Sequence, residues 1–386
     1  VDPAAGTGPA RETAGRPLPR GRDVNMKYWI GFAVIAVHVV VLGIFFGPWR
    51  SRAPAGGVAG PGSAGGSPAA PQGPGKALPA AGAGQPVAAP ATATPLASTA
   101  AAGATGTAAG DGRFSPTFFR RTERPLPAKL QNAAAICRTG VVVDWSARTV
   151  LWAKGDTRAV PIASLTKMMT ILVVVEALET GSDLTLTTPV PVTREAALVG
   201  GRQVWLDARE TFPLQDILRA ALIHSANDAA FLLAQRLAGS EGAFVKRMQA
   251  RAGTLGLTSF VFNNAHGLPD GPTQRENLGS AVELAYLAGR LLRYPKVVEW
   301  GSTRLSYLEP RVDGKKTQLV NTNHLVSRVP GVNGMKTGFT DKSGYCLVAT
   351  CERQGRQVIV VVTGCLKGSD RDQLVTDLLE WAYATP

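Results

Sequence analysis

Pro161-Ile162-Ala163-Ser164-Leu165-Thr166-Lys167-Met168-Met169-Thr170 is the stretch on which the reading of this chain turns. A long apolar run follows it to Thr180, and Gly181 closes the run, which predicts a helix over 164–180. Ser164 and Lys167 stand three positions apart, so on a helix they share a face and hydroxyl can meet amine. Serine is a poor nucleophile until a neighbouring base takes its proton. Lysine can be that base only when neutral, and a helix N-terminus or a second cation close by would disfavour its charged form. The same residues also describe a helix-capping serine and a surface lysine, so the segment needs partners elsewhere in the chain.

Two later segments supply them. Ser225-Ala226-Asn227 lies in a helix-rich stretch. A second serine can pass a proton between base and leaving group, and an asparagine amide can hold a peptide backbone. The plain alternative makes Asn227 the cap of a helix over 228–237. Lys336-Thr337-Gly338 reads as strand, with a cation beside a hydroxyl that suits a substrate carboxylate. Gly338 would let a substrate backbone approach the strand edge. The plain alternative is an edge strand blunted by lysine. A Ser-His-Asp triad would need His224, His266 or His324. His266, before Gly267, reads as a loop hydrogen-bonder, and His224 has no assignable role.

Outward from these segments, 140–146 and 148–154 read as a hairpin, and 345–350 with 357–364 as a second one turned by 352–355. Residues 213–251 are helical in several pieces, 263–277 is a loop by its turn residues, and 280–292 is a further helix. An amphipathic helix over 369–384 closes the chain. Strands at both ends with helices between them suggest one sheet built from both ends of the domain and a second, helical lobe.

Taken together and in this order, S-x-x-K, S-x-N and K-T-G are the signature of penicillin-binding proteins and class A β-lactamases. Residues 133–383 resemble the D-alanyl-D-alanine carboxypeptidases, the low-molecular-weight penicillin-binding proteins. The resemblance extends to 161–170, to 224–230, to Ala265-His266-Gly267-Leu268, to Asn321-Thr322-Asn323-His324-Leu325 and to 331–346. It departs at Ala226, where the class A pattern has aspartate, and at Glu283, where the family often has aspartate. The resemblance implies an α+β fold of the β-lactamase/DD-peptidase type, an antiparallel sheet flanked by helices plus a helical lobe. It implies that Ser164 attacks the penultimate D-Ala carbonyl, with Lys167 as base and Ser225 in the proton path. The backbone N–H groups of Ser164 and Phe339 would hold the oxyanion. Asn227 would hold the peptide stem, Lys336, Thr337 and Gly338 the terminal carboxylate end, and Arg371 would assist there. Stem peptides ending in D-Ala-D-Ala are the implied substrates and β-lactams the implied inhibitors, with no metal or cofactor. An endopeptidase acting on cross-links, a β-lactamase and a non-catalytic wall-binding scaffold are the alternatives. No Glu-x-x-Leu-Asn occurs in 255–300, which speaks against the β-lactamase.

The first third of the chain is different. Residues 28–49 carry no charge, are rich in Val, Ile, Phe and Ala, and have Trp29 and Trp49 near the ends. That run is long enough to span a bilayer. The expectation is a basic tail over 1–27, a single-pass membrane anchor over 28–49, a flexible Ala/Gly/Pro-rich linker over 50–112 and a catalytic domain over 113–386 held outside the cytoplasm. A cleaved signal peptide starting at Met26 is the rival. Family members are often tethered through a C-terminal helix, whereas the apolar run here is N-terminal. A coil of about 60 residues reaches on the order of 40 Å. Net charge is +13, most of it on 113–386, which suits an anionic polymer or lipid. No basic run is interleaved with aromatics, so nucleic acid is not an expected partner. Cys137, Cys346, Cys351 and Cys365 lack metal-ligand spacing and read as buried thiols on strands, with disulfides permitted outside the cytoplasm.

Overall fold

The computed structural model describes residues 112–384, apart from 182 and 310. The expected tail, membrane anchor and nearly all of the linker lie outside the described residues. Among those described, no helix is long and apolar enough to cross a membrane.

One six-stranded sheet forms the body, in the spatial order Arg120–Arg121, Thr149–Lys154, Thr139–Asp144, Arg356–Cys365, Gly344–Arg353, Val332–Thr340. Both expected hairpins are present. They join where Thr139–Asp144 pairs antiparallel with Arg356–Cys365, Val142 opposite Val360. The two ends of the domain therefore build one sheet. The central strands read Val141-Val142-Val143 and Val358-Ile359-Val360-Val361-Val362, and all eight residues are buried. Such unbroken β-branched runs mark strands covered on both faces. Val141, Val143, Ile359 and Val361 face the helical lobe. Val142, Val358, Val360 and Val362 face the last helix, Gly368–Ala384, and the short helix Ala128–Ala134.

The helical lobe holds Lys167–Glu179, Asn227–Ala238, Glu241–Leu255 and Ala281–Leu291. Helix Leu214–Arg219 runs on into a wide turn over Ala220–His224, with the Ser225 N–H donating to the Ala220 carbonyl. Turns of this i→i+5 kind gather at functional positions. Short ladders for which sequence reading holds no expectation join Val160–Pro161 to Leu278–Gly279 and Leu305–Leu308 to Thr317–Val320. Two to four residues carry too little alternation to register as strand. All four cysteines are free and buried, three of them on strands and Cys137 in the bend before the first hairpin.

Glu283 anchors the loop that leads into the site region. Its carboxylate accepts from the backbone N–H groups of Thr258 and Ser259 and from the Ser259 hydroxyl at 2.6 Å. In this chain the longer side chain, where the family often has aspartate, fastens Thr258 and Ser259. Glu283→Ala should lower unfolding stability by about 1–3 kcal/mol for each buried donor left unpaired. Denaturant melting of the two proteins checks this.

Candidate active site

The serine sits on a tight 3₁₀ turn, Ala163–Thr166, that feeds directly into the helix beginning at Lys167. Ala163 has φ 45°, a left-handed conformation uncommon for a residue with a Cβ. The 263–277 loop clamps this turn from outside. The Asn277 side chain donates to Thr166 Oγ1 and to the Asn264 carbonyl, and the Ile162 N–H donates to the Asn277 carbonyl. Gly267, at φ 88°, lies so close that a Cβ there would stand 2.1 Å from the Ala163 carbonyl oxygen. Strain held by surrounding contacts is a recurrent property of reactive positions.

Lys167 Nζ lies 3.0 Å from Ser164 Oγ and donates to Asn227 Oδ1 and to the His266 carbonyl, both at 2.6 Å. Neither Ser164 nor Lys167 fits the plain alternative. The side chain of Ser164 makes no capping bond, and Lys167 is fully buried. Burial pushes the Lys167 amine down to about 7, Arg202 adds to the effect, and Asp228 opposes it. Asp228 is itself spent on the backbone N–H groups of Val204, Leu206 and Ala229.

Ser225 ends the wide turn in a left-handed conformation, φ 64°. Its hydroxyl accepts from Lys336 Nζ at 2.7 Å. Lys336 also donates to the Thr337 carbonyl and is fully buried, so it is no surface lysine blunting an edge. Burial holds its amine well below the ordinary lysine range, and the charges of Lys167, Arg202 and Arg371 lower it further. Asn227 is the first residue of its helix rather than its cap, and its amide N–H donates to the Gly200 carbonyl. Its oxygen serves Lys167, which leaves one amide hydrogen for the stem contact that sequence reading expected.

The far wall is the edge strand Val332–Thr340. Gly338 faces the nucleophile turn, and a Cβ on it would fall 2.9 Å from the Ile162 carbonyl and 3.2 Å from the Ser164 nitrogen. The glycine thus admits the nucleophile's own backbone to the strand, where sequence reading expected it to admit substrate. Thr337 Oγ1 donates to Thr322 Oγ1 at 2.7 Å. The Asn321–Leu325 segment is fixed by Asn323, which donates to the Gly334 carbonyl and accepts from the Leu325 N–H. Phe339 is half exposed against Tyr345, with ring centroids 4.3 Å apart. Arg371 is pinned by Asp372. A cleft of about 720 Å³ runs past Ser164, Ser225, Asn227, Thr337, Phe339 and Arg371.

Every candidate side chain named from sequence lines this cleft or, as with Lys167 and Lys336, lies buried behind it. Sequence reading missed the His266 carbonyl, Thr322 and Arg202. The segments carrying His266 and Thr322 were visible as resemblances, but a backbone acceptor has no residue-type signal. Arg202 belonged to no motif. His266 stays neutral, pushed down to about 3 by burial and by Lys167, and its Nδ1 accepts from the Leu268 N–H.

A serine hydroxyl 3.0 Å from a buried lysine, with a second buried lysine behind the same cleft, is the arrangement of a serine hydrolase. The comparisons agree. A family model described as D-alanyl-D-alanine carboxypeptidase matches residues 127–366. D-alanyl-D-alanine carboxypeptidase DacF of Bacillus subtilis is 34% identical over 271 residues, covering 70% of this chain and 67% of that protein. A D-alanyl-D-alanine endopeptidase of Pseudomonas aeruginosa is 31% identical over 58% of this chain and 68% of its own. Among solved structures, penicillin-binding protein D2 of Listeria monocytogenes, in its ampicillin-bound form, is 30% identical with a TM-score of 0.56, covering 63% of this chain and 96% of that one. The chain belongs to the D-alanyl-D-alanine carboxypeptidase family of serine peptidases.

Proposed function

We propose that the protein removes the terminal D-Ala from peptidoglycan stem peptides through an acyl-enzyme on Ser164, and that penicillin acylates the same hydroxyl. The observation that carries this reading is the hydrogen-bond inventory at Lys167. A neutral amine has two N–H donors and one lone pair. Asn227 and the His266 carbonyl take two donors, and the remaining position faces Ser164 Oγ at 3.0 Å. The lone pair is thereby aimed at the proton that must leave. Ser164 Oγ attacks the penultimate D-Ala carbonyl as its proton passes to Lys167. The amide N–H groups of Ser164 and Phe339 hold the oxyanion. Ser225, hydrogen-bonded to Lys336, completes the path by which the leaving D-Ala amine is protonated. Lys336, Thr337 and Arg371 receive the terminal carboxylate. That anion offsets the like charges of the buried amines, so its arrival favours a charged Lys336 beside a neutral Lys167. Water then releases the acyl group.

Incubating the protein with a D-Ala-D-Ala pentapeptide and with a cross-linked muropeptide, and weighing the products, tests the reading. Loss of one D-Ala from the pentapeptide is expected. Cleavage of the cross-link alone would establish the endopeptidase instead, a reading that the Pseudomonas aeruginosa relative's name keeps in view. For the β-lactamase alternative, Glu276, beside Asn277 in the loop that clamps the serine's turn, accepts from Thr340 Oγ1 and has no hydrogen bond to the serine. Penicilloyl-enzyme should therefore persist.

Acylation should depend on pH in one direction. The amine is the base only when unprotonated, and its pKa is lowered to about 7. The acylation rate should rise through pH 7 and level off above it, and stopped-flow acylation between pH 5 and 9 reads this out. An ordinary lysine would place the rise near 10.5.

The domain acts outside the cytoplasm, held to the membrane by residues 28–49 and spaced from it by the linker. The charge-free length of that run and the extracytoplasmic location of the wall support this. Amino-terminal sequencing of membrane-fractionated protein distinguishes an anchor from a cleaved signal peptide.

A further inference from the structure

We infer that Arg202 forms a subsite for a second carboxylate, carried on the acyl side of the substrate peptide. The inference rests on the peptidase reading above. Arg202 lines the cleft together with Ser164, Asn227 and Leu268. It is exposed, and among the described residues its guanidinium makes no hydrogen bond or ion pair. Two other arginines of the site region are differently placed, Arg371 being tied to Asp372 and Arg311 to Glu210.

The loop that carries Arg202 is fastened to the catalytic lysine's own partner. The Asn227 N–H donates to the Arg202 carbonyl at 2.8 Å, and the Asn227 side chain donates to the Gly200 carbonyl at 2.9 Å. Between them, a Cβ on Gly201 would stand 2.7 Å from Asn227 Nδ2 and 3.1 Å from Leu268. The backbone of Arg202 is thus held at the Asn227 end of the cleft, and the positive charge of its side chain acts on both Lys167 and Lys336. An unpaired cation placed beside two buried amines is repelled by them, and the arrangement is relieved when an anion enters.

The polarity of the cleft decides which anion. Ser164 has its hydroxyl toward Lys167, which is itself bonded to Asn227, and its amide against Gly338 on the edge strand. The terminal carboxylate is assigned to the side of Thr337, Thr322 and Arg371. A peptide bound that way carries the residues upstream of the scissile bond toward Asn227 and Arg202. A guanidinium fork matches a carboxylate through two parallel hydrogen bonds. The substrate class is therefore a peptide whose acyl portion bears a free side-chain carboxylate just before D-Ala-D-Ala. Arg328, likewise without a side-chain hydrogen bond or ion pair among the described residues, lines the same cleft with Thr322 and His324 and on this inference serves the terminal carboxylate side.

Two peptides test this, both with a free C-terminal carboxylate after D-Ala-D-Ala, one with a free and one with an amidated side-chain carboxylate on the preceding residue. The full-length protein should favour the free acid in kcat/KM by about tenfold, the order of one charge-assisted pair in a partly wet cleft. Arg202→Gln should bring that ratio to about one, and Arg202→Lys should leave it intermediate because the charge stays and the fork is lost. Arg328→Gln should lower both peptides and keep the ratio. The ratio is insensitive to a general loss of folded enzyme. Equal hydrolysis of both peptides by the unaltered protein, or an unchanged ratio in Arg202→Gln, overturns the subsite and leaves the peptidase reading standing. Hydrolysis of neither peptide overturns both.

Discussion

Protein incubated with a labelled penicillin is expected to gain one covalent label, on Ser164, and Ser164→Ala is expected to gain none. The hydroxyl is the reacting atom: it lies 3.0 Å from the amine of buried Lys167, whose two other contacts, to Asn227 and the His266 carbonyl, hold that amine against the serine. Ser225 is the nearest rival, since it too meets a lysine, but its hydroxyl accepts from Lys336, an amine that also serves the Thr337 carbonyl. Peptide turnover in Ser164→Ala should fall on the order of 10⁴-fold or more, as when a nucleophile is removed from other serine peptidases. Cβ and backbone are unchanged, so melting temperature should hold. Peptide mapping of the labelled protein decides the matter, and a label on Ser225 would falsify the assignment.

Lys167→Met should cost nearly as much. Methionine keeps the volume and apolar stem but has no lone pair to take the serine's proton. General base catalysis contributes about 10²–10⁴-fold, and acylation by both peptide and penicillin should drop by that order. Stability should move far less, because two effects oppose one another. A buried amine that resists its charge is removed, while Asn227 Oδ1 and the His266 carbonyl lose a donor. The rise in rate through pH 7 should also vanish. If the variant kept both the wild-type rate of penicillin labelling and that pH rise, another group would have to be the base.

Much of this was legible from residues alone. The central strands announce themselves because they are covered on both faces, so every residue from Val358 to Val362 is apolar. The wide turn at Ala220–His224 does not, because nothing in Ala-Ala-Leu-Ile-His distinguishes i→i+5 from i→i+4 bonding. The candidate side chains of the cleft were legible by resemblance, since each brings a particular chemical group. Gly338 was legible as a necessity but not in its cause. Its clash is with Ile162 and Ser164, far off in sequence, and only folding brings them together. Thr322 was obscured for the same reason, because its bond to Thr337 depends on a loop whose position is set by Asn321 and Asn323. Arg202 could be read only as an arginine in a loop. Its significance comes from what fails to surround it.

The sheet that draws on both ends of the domain has a consequence for how this enzyme is made. Asp144 is bridged to Arg356 across 212 positions, and the strand bearing Lys336 completes the wall opposite a serine near the domain's start. Such distant pairings are slow to form, since the chain between them must be ordered before they are rewarded. A growing polypeptide that has already emitted Ser164 and Lys167 therefore has an inert serine. The lysine's burial, which sets its weak basicity, awaits a lobe and a strand that emerge later. Reactivity toward acyl donors therefore awaits completion of the domain, and the nascent protein passes through synthesis without an exposed, activated nucleophile.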